Sequence, residues 1–280
     1  MGGGQQSKLS DFDDMELLIH DTLITASRPP RWMWDDSAMD ARKLGPLAVR
    51  TVVKTTGTTS KKAGTPPLTV VLNHGYGAPG DDLVAMAGGI DAPAGTTFVF
   101  PEAPLTLSDP TMPFLGDARA WWPIDISRYE RAIRQGTLED LMKDEPEGMA
   151  SAREALVATL DALEKETPGT RVVLGGFSQG SMIATDVALR TKRPLAGLVI
   201  LSGTLLAANE WLPGMASRTG LRVFQSHGKD DPILPFALAQ LLHRAMVEAG
   251  LDSSFLPFEG GHGIPPMVMR DLGAFLHQLP

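Results

Sequence analysis

The chain has 280 residues, of which 43% are hydrophobic and 21% charged, a composition typical of globular proteins. Its formal net charge of −8 and its lack of a basic stripe argue against a nucleic-acid partner, because phosphate binding depends on clustered lysine and arginine. Cysteine is absent, which excludes disulfides, thiolate metal sites and a cysteine nucleophile.

The first 45 residues are expected to be an extension, followed by one domain over residues 46–280. Met1–Ser10 is rich in glycine and glutamine and lacks the apolar core of a secretory signal. No apolar run reaches the ~18 residues of a membrane helix. We therefore expect a cytoplasmic protein without a membrane span, whose oligomeric state stays open.

Short apolar strands alternate with amphipathic helices along most of the chain. The expected strands are Leu47–Val53, Leu68–Asn73, Thr97–Phe100, Arg171–Gly175, Ala196–Leu201, Leu221–Ser226 and Ser254–Pro257. The expected helices are Asp81–Ala87, Met149–Glu166, Ser181–Thr191, Phe236–Ala249 and Pro266–Leu279. This alternation predicts an α/β fold, a mostly parallel sheet with helices on both faces. Two long connections, Pro104–Asp125 and Gly203–Gly220, follow strands, where ligands of such sheets bind.

The segment Gly176-Phe177-Ser178-Gln179-Gly180 lies between an expected strand and an expected helix. In a G-x-S-x-G turn of this kind the serine hydroxyl is exposed above the sheet. The residues two positions before and after the serine face each other closely, so they must be small. A helix N-terminus behind the serine adds positive potential where an oxyanion would form. Ser178 is therefore predicted to be a nucleophile, and the alternative is a plain glycine-rich turn capped by a serine.

An acid and then a base follow the serine in this type of fold. His262 lies in a glycine-rich turn between the last expected strand and the last expected helix, and we predict that it is the general base. The alternative is a solvent-exposed turn histidine. His227 ends the preceding strand, ahead of the acid. Asp230 and Asp231 both follow that strand, and either could orient the imidazole.

The loop Asn73-His74-Gly75-Tyr76-Gly77 follows an early strand, where the second oxyanion donor of such enzymes is found. We predict that the backbone N–H groups of Tyr76 and Gln179 are the donors and that His74 is structural. A phosphate-binding interpretation fails because neither known glycine spacing is present. Trp121 and Trp122 either line an acyl pocket or simply pack the long loop. No metal-ligand spacing is found, so neither a metal nor a cofactor is expected.

Taken together, these segments resemble the phospholipase/carboxylesterase family, which includes the acyl-protein thioesterases. The resemblance covers roughly residues 68–280. It rests on His74-Gly75, Pro101-Glu102-Ala103-Pro104, Trp121-Trp122-Pro123-Ile124-Asp125, Gly176–Gly180, Leu201-Ser202-Gly203 and His227–Pro235. In the family pattern the acid is four residues after the histidine of the His-Gly pair, which implies Asp231 as acid and His262 as base. An α/β-hydrolase fold without a large lid domain is also implied.

The resemblance implies a serine carboxylesterase that hydrolyses short- to medium-chain carboxylic esters through an acyl-enzyme intermediate. An acyl thioesterase or lysophospholipase, using the same residues, is the alternative. A non-catalytic binding protein on a hydrolase scaffold is less expected, because all three triad residues are present. The long N-terminal extension, and Tyr76 where the family often has Leu, depart from the pattern. The expected partner is a small-molecule ester.

Overall fold

A computed structural model describes residues 41–55, 66–107, 117–137, 140 and 142–280 of the chain. The strands are β1 Arg42–Leu44, β2 Leu47–Val53, β3 Leu68–Asn73, β4 Thr97–Pro101, β5 Leu105–Thr106, β6 Arg119–Ala120, β7 Arg171–Phe177, β8 Gly197–Leu201, β9 Arg222–Gly228 and β10 Asp252–Phe258. The helices are α1 Met86–Gly89, α2 Ile126–Gln135, α3 Met149–Glu166, α4 Gln179–Arg190, α5 Ala208–Met215, α6 Phe236–Glu248 and α7 Pro266–Gln278. A 3-10 turn, Ala216–Arg218, follows α5.

Eight of these strands form one sheet in the order β1-β2-β4-β3-β7-β8-β9-β10. The strands from β4 through β10 in this order pair in parallel, whereas β1, β2 and β4 pair antiparallel at one edge. The expected mostly parallel sheet is confirmed. Because the parallel strands share a direction, the segments that follow β3, β7, β9 and β10 all emerge at the same edge of the sheet.

Helices cover both faces of the sheet, which explains why β3 and β8 are buried along their whole length. One core packs α3, α4, α5 and α6 against the sheet, with Leu156, Ile183, Trp211 and Leu238 among its buried residues. The other core packs α1 and α7 against the opposite face, with Met86, Leu272 and Phe275. Burial on both faces gives continuous apolar strands rather than alternating ones.

The predicted strands and long helices lie where expected, with ends shifted by a few residues. The sheet begins at Arg42, ahead of the domain start predicted at residue 46, because β1 pairs with β2. The rest of the predicted N-terminal extension, residues 1–40, lies outside the described residues. The helix predicted over Asp81–Ala87 is mostly turns, and only Met86–Gly89 is helical.

The two long connections that follow predicted strands contain regular structure. Gly203–Gly220 holds α5, and Pro104–Asp125 holds the two short strands β5 and β6, which pair antiparallel. The helix α2, which begins directly after Asp125, was not predicted either. In the part of the chain that the structure describes, no helix is both long and apolar enough to cross a membrane.

Candidate active site

Ser178 occupies the turn between β7, which ends at Phe177, and α4, which begins at Gln179. Its backbone has φ 52° and ψ −123°, a conformation that costs a non-glycine residue about 1–3 kcal/mol. The N–H of Ser178 donates to the carbonyl of Leu201 at 2.8 Å, and this bond ties the turn to the neighbouring strand β8. Surrounding structure thus holds the serine in a strained conformation, at the turn predicted from the G-x-S-x-G segment.

Gly176 and Gly180 stand on either side of this turn and have no room for a side chain. A methyl group on either glycine would overlap the carbonyl oxygen of Asn73, at the end of β3. A methyl group on Gly176 would also lie 2.5 Å from the carbonyl carbon of Gly180. The requirement for small residues therefore comes from the close approach of β3 and from the contact between the two glycines themselves.

The carboxylate of Asp231, which follows β9, uses both of its oxygens. Oδ1 accepts the backbone N–H groups of Ile233 and Leu234, each at 2.9 Å. Oδ2 lies 2.7 Å from Nδ1 of His262 and 3.2 Å from Nε2 of His227. Burial alone would raise the pKa of this carboxyl, but the hydrogen bonds from both histidines and from the Leu234 N–H outweigh burial and hold the pKa well below its usual range. Asp231 is therefore an anion that can only accept hydrogen bonds.

The proton position on His262 follows from this contact. Because the Asp231 carboxylate can only accept, Nδ1 of His262 must carry the hydrogen in the 2.7 Å bond. In the neutral ring Nε2 then keeps its lone pair, which is the atom that a general base uses. Nε2 is buried and has no hydrogen-bond partner among the residues that the structure describes.

Several contacts place the His262 turn beside the serine turn. The His262 ring lies 4.8 Å, between centroids, from the ring of Phe177, the residue directly before Ser178. The hydroxyl of Ser202, at the end of β8, donates to the carbonyl of Gly263 at 3.1 Å. His262 is thus held on both sides next to the serine turn. The hydrogen bond between Ser178 and Nε2 is not formed here, and such bonds often tighten only when substrate binds.

His74 organises the loop after β3, as predicted for a structural residue. Its Nδ1–H donates to the carbonyl of Gly75 at 2.8 Å, and its Nε2 accepts the N–H of Ala103 at 2.9 Å. Its own carbonyl accepts the indole N–H of Trp121 at 2.9 Å. Burial lowers the pKa of His74 to about 4, so the ring is neutral at pH 7 and suited to one donor and one acceptor bond.

The backbone on both sides of Tyr76 is anchored. Gly77 donates to the carbonyl of Arg119 at 2.8 Å, and Arg119 donates to the carbonyl of Ala78 at 3.0 Å. On the other side of Tyr76, a methyl group on Gly75 would lie 3.4 Å from Cβ of Ser178. The loop that carries the predicted oxyanion donor therefore lies directly against the serine turn.

Gln179 offers a backbone donor and a side-chain clamp. Its N–H is the first of α4, and the first N–H groups of a helix have no acceptor within the helix. Its buried side chain accepts the N–H of Trp121 at 2.9 Å and donates to the carbonyl of Trp122 at 2.8 Å. The serine turn is thereby coupled to the segment that follows β6.

The two tryptophans of that loop are almost fully buried. Trp121 is 1% exposed and Trp122 is 3% exposed, and both belong to the core that contains α3 and α4. The ring of Trp121 also lies 5.9 Å, between centroids, from the ring of His74. These contacts favour the packing alternative over an open pocket wall, and a substrate-binding role for either ring stays a prediction.

Asp230 is exposed, and its backbone N–H connects two turns. Its N–H donates to the carbonyl of Gly260 at 3.0 Å, which connects the acid turn to the turn that carries His262. Of the two aspartates left open by the strand pattern, Asp231 is thus the one that faces the imidazole. No group of three or more His, Asp or Glu side chains that could hold a metal occurs in the described ranges.

The comparisons with known proteins bear on this geometry. A family model described as Phospholipase/Carboxylesterase matches residues 57–279, most of the chain. The chain belongs to this family of hydrolases. The acyl-protein thioesterase 1 of Aspergillus fumigatus is 29% identical over 229 residues, which are 75% of this chain and 87% of that protein. The acyl-protein thioesterase 1 of Mycosarcoma maydis is 28% identical over 251 residues, or 81% and 98%.

Solved structures agree on the α/β-hydrolase fold. The esterase PE8 matches with a TM-score of 0.65 and 26% identity, over 84% of this chain and 99% of that one. The acyl-protein thioesterase 2 of Zea mays matches with a TM-score of 0.59 and 21% identity, over 82% of this chain and 97% of that one, and this likeness shows the fold alone. The family and fold expected from the sequence are therefore confirmed.

The structure thus brings together the carboxylate of Asp231, the imidazole of His262 and the turn of Ser178, with the loops of Tyr76 and Gln179 beside them. Sequence reasoning missed two contacts at this site: the approach of His227 to the Asp231 carboxylate and the clamp made by the Gln179 side chain. The only sequence signal for the first was the four-residue spacing between His227 and Asp231 across a glycine-containing turn.

Proposed function

We propose that this hydrolase is a serine acyl hydrolase in which Ser178 is the nucleophile, His262 the general base and Asp231 the acid that orients His262. The observation that carries the proposal is the 2.7 Å bond between the ionised Asp231 and Nδ1 of His262. Nε2 of the same ring lies beside the strained serine turn and has no partner within the described part of the chain. A non-catalytic binding protein would have no need for a buried imidazole oriented in this way.

The reaction runs in two halves. Nε2 of His262 takes the proton of Ser178 Oγ as that oxygen bonds to the acyl carbon, and the carbonyl electron pair moves onto the oxygen. The N–H groups of Tyr76 and Gln179 stabilise this oxyanion. When the intermediate collapses, the bond to the leaving group breaks, and the leaving group takes the proton from Nε2. Water then attacks the acyl-serine by the same route, releasing the carboxylic acid and returning the proton to Oγ.

Acyl thioesters are the substrate class that we put first. The relatives from Aspergillus fumigatus and Mycosarcoma maydis are both named acyl-protein thioesterases, and this chain spans 87% and 98% of their lengths. The triad itself serves either leaving group. A thiol, with a pKa of about 8.5, leaves with less help from the general acid than an alcohol does. The carboxylesterase expected from the sequence becomes the second candidate, which the likeness to the esterase PE8 supports.

A matched pair of substrates separates the two candidates. An oxyester and a thioester with the same acyl group and the same leaving-group skeleton are compared over acyl lengths from two to sixteen carbons, with Ser178→Ala as blank. A thioesterase gives a kcat/KM for the thioester that is higher by at least about tenfold, or about 1.4 kcal/mol in barrier. The reverse ratio favours the carboxylesterase. If neither substrate turns over above the blank at any length, the proposed function is wrong.

A further inference from the structure

A second histidine, His227, shares the carboxylate oxygen that binds His262. Its Nε2 lies 3.2 Å from Oδ2 of Asp231 and 2.8 Å from the carbonyl of Leu234. A carbonyl oxygen can only accept, so Nε2 of His227 must carry the hydrogen. That single N–H therefore has two acceptors, and both belong to the turn that carries the acid.

The turn from Asp231 to Leu234 is closed by hydrogen bonds from several sides. Oδ1 of Asp231 accepts the N–H groups of Ile233 and Leu234. The hydroxyl of Tyr129, on α2, donates to the carbonyl of Ile233 at 2.9 Å. His227 donates to the carbonyl of Leu234, the last residue of this turn. If the His227 ring is removed, this carbonyl loses the donor that the structure shows for it. Oδ2 of Asp231 then keeps the bond to His262 and loses the contact with His227.

We infer that His227 is a positioning residue for the proposed reaction: its N–H orients and partly neutralises the Asp231 carboxylate, which in turn holds His262. Two observations support an active-site role over simple core packing. The side chain of His227 is completely buried at the end of β9, where an apolar residue would avoid the cost of burying a polar ring. Its Nδ1 is buried without a partner among the described residues, so the hydrogen bonds that the ring makes there are those of Nε2.

The inference rests on the proposed function, because it requires Asp231 to act through His262. The expected size of the effect can be taken from metal sites, where residues that hydrogen-bond to a metal ligand and orient it contribute about 10- to 100-fold to affinity or activity. A similar contribution is expected from His227, and it should fall on kcat rather than on KM, since His227 contacts the acid and not the substrate.

Three substitutions at His227 form the test. His227→Leu removes the donor. His227→Gln keeps an amide N–H at the reach of Nε2, whereas the side chain of His227→Asn is one bond shorter and reaches only as far as Nδ1. Activity is measured per competent site, counted by titration with a fluorophosphonate. His243→Leu is the matched control, because His243 is a partly buried histidine whose ring bonds to the hydroxyl of Ser253 and not to the turn that carries Asp231.

We expect His227→Leu and His227→Asn to lower kcat about 10- to 100-fold with KM changed less than about threefold, and His227→Gln to recover most of the loss. Equal kcat in the Gln and Asn variants, or a kcat loss in His243→Leu as large as that in His227→Leu, would overturn the inference. If His227→Leu does not fold, the comparison of kcat between the Gln and Asn variants still tests the inference.

A double-mutant cycle with Asp231→Asn separates the inference from the proposed function. If His227 acts through Asp231, then His227→Leu costs less than about threefold once Asp231→Asn is present, because the two effects are not additive. Full additivity rejects the inference and leaves the proposed function intact. If Asp231→Asn alone retains activity, the proposed function is itself wrong.

Discussion

The substitution Asp231→Asn keeps the shape of the side chain but replaces one carboxylate oxygen, an acceptor, by an NH₂ group, which is a donor. Two backbone N–H groups, those of Ile233 and Leu234, point at Oδ1 from 2.9 Å each. They hold the amide oxygen of Asn at the Oδ1 position, so the NH₂ group must occupy the Oδ2 position. There it faces Nδ1 of His262, which donates at 2.7 Å in the wild-type protein.

Two donors cannot share one hydrogen bond, so His262 in Asp231→Asn is expected to move its proton to Nε2. The atom that should take the proton from Ser178 is then already protonated. The same loss of the active tautomer in a serine protease triad lowers kcat by about 10⁴. Asp230→Asn provides the matched control, because that residue is exposed and its backbone N–H, which the substitution keeps, makes the bond to Gly260. It should cost less than about tenfold.

Both variants are assayed for kcat on one activated thioester, with thermal unfolding as a check of folding. Asp231→Asn is expected to unfold below the wild-type temperature at pH 7, because the bonds to Oδ1 are retained but the bonds of both histidines to the ionised Oδ2 are lost, so kcat is measured at a temperature where the variant is folded. The tautomer argument is refuted if Asp231→Asn keeps more than about a tenth of the wild-type kcat. It is refuted equally if Asp230→Asn is the inactive variant.

Gly180→Ala should lower the free energy of unfolding by several kcal/mol, because the added methyl group overlaps the Asn73 carbonyl. Urea titration measures this free energy, and a loss below about 1 kcal/mol would be inconsistent with the packing described. Burial raises the pKa of Asp82 to about 7, above its value of about 3.9 in the unfolded chain, so wild-type stability is lost as the pH rises from about 4 to 7. Asp82→Asn should therefore become progressively more stable than wild type across that range and level off above it; a pH-independent difference in urea midpoint would reject this. Dialysis against EDTA should leave kcat unchanged, because serine and imidazole need no Lewis acid; a loss restored by zinc or calcium would contradict the proposed mechanism.

The sequence was most informative where local chemistry determines local structure. The serine turn was predictable because Gly176 and Gly180 flank Ser178 between an apolar strand and a helical pattern. The choice between Asp230 and Asp231 was not, since both follow the same strand and only the fold decides which carboxylate faces His262. The family resemblance supplied Asp231 where the strand pattern alone left both open.

The helix α5 shows why other parts could not be predicted. It contains Pro213 and Gly214, which are unfavourable inside helices. Tertiary contacts compensate: the indole of Trp211 donates to the buried Asp186 at 2.9 Å, and Gly214 packs so closely on the Leu189 carbonyl that a methyl group would lie 2.8 Å from it. Asp186 and Leu189 lie on another helix, α4, so the sequence pattern within α5 does not indicate these contacts.

The helix α2 was missed for a different reason. Its sequence is strongly polar, and of the side chains described in it only Ala132 is fully buried. The hydroxyl of Tyr129 bonds to the carbonyl of Ile233, which fixes the helix against the acid turn. The helix has few apolar residues, and a short segment of such polar composition does not stand out as a packed helix in the sequence.

The central claim, that Ser178 is the nucleophile, is tested most directly by covalent labelling. A fluorophosphonate probe transfers its phosphonyl group to an activated serine, and mass spectrometry of the digested protein locates the adduct. We predict one adduct, on Ser178, which is absent in Ser178→Ala and strongly slowed in His262→Ala. An adduct that persists in Ser178→Ala, or full turnover of thioester and ester by that variant, would contradict the account.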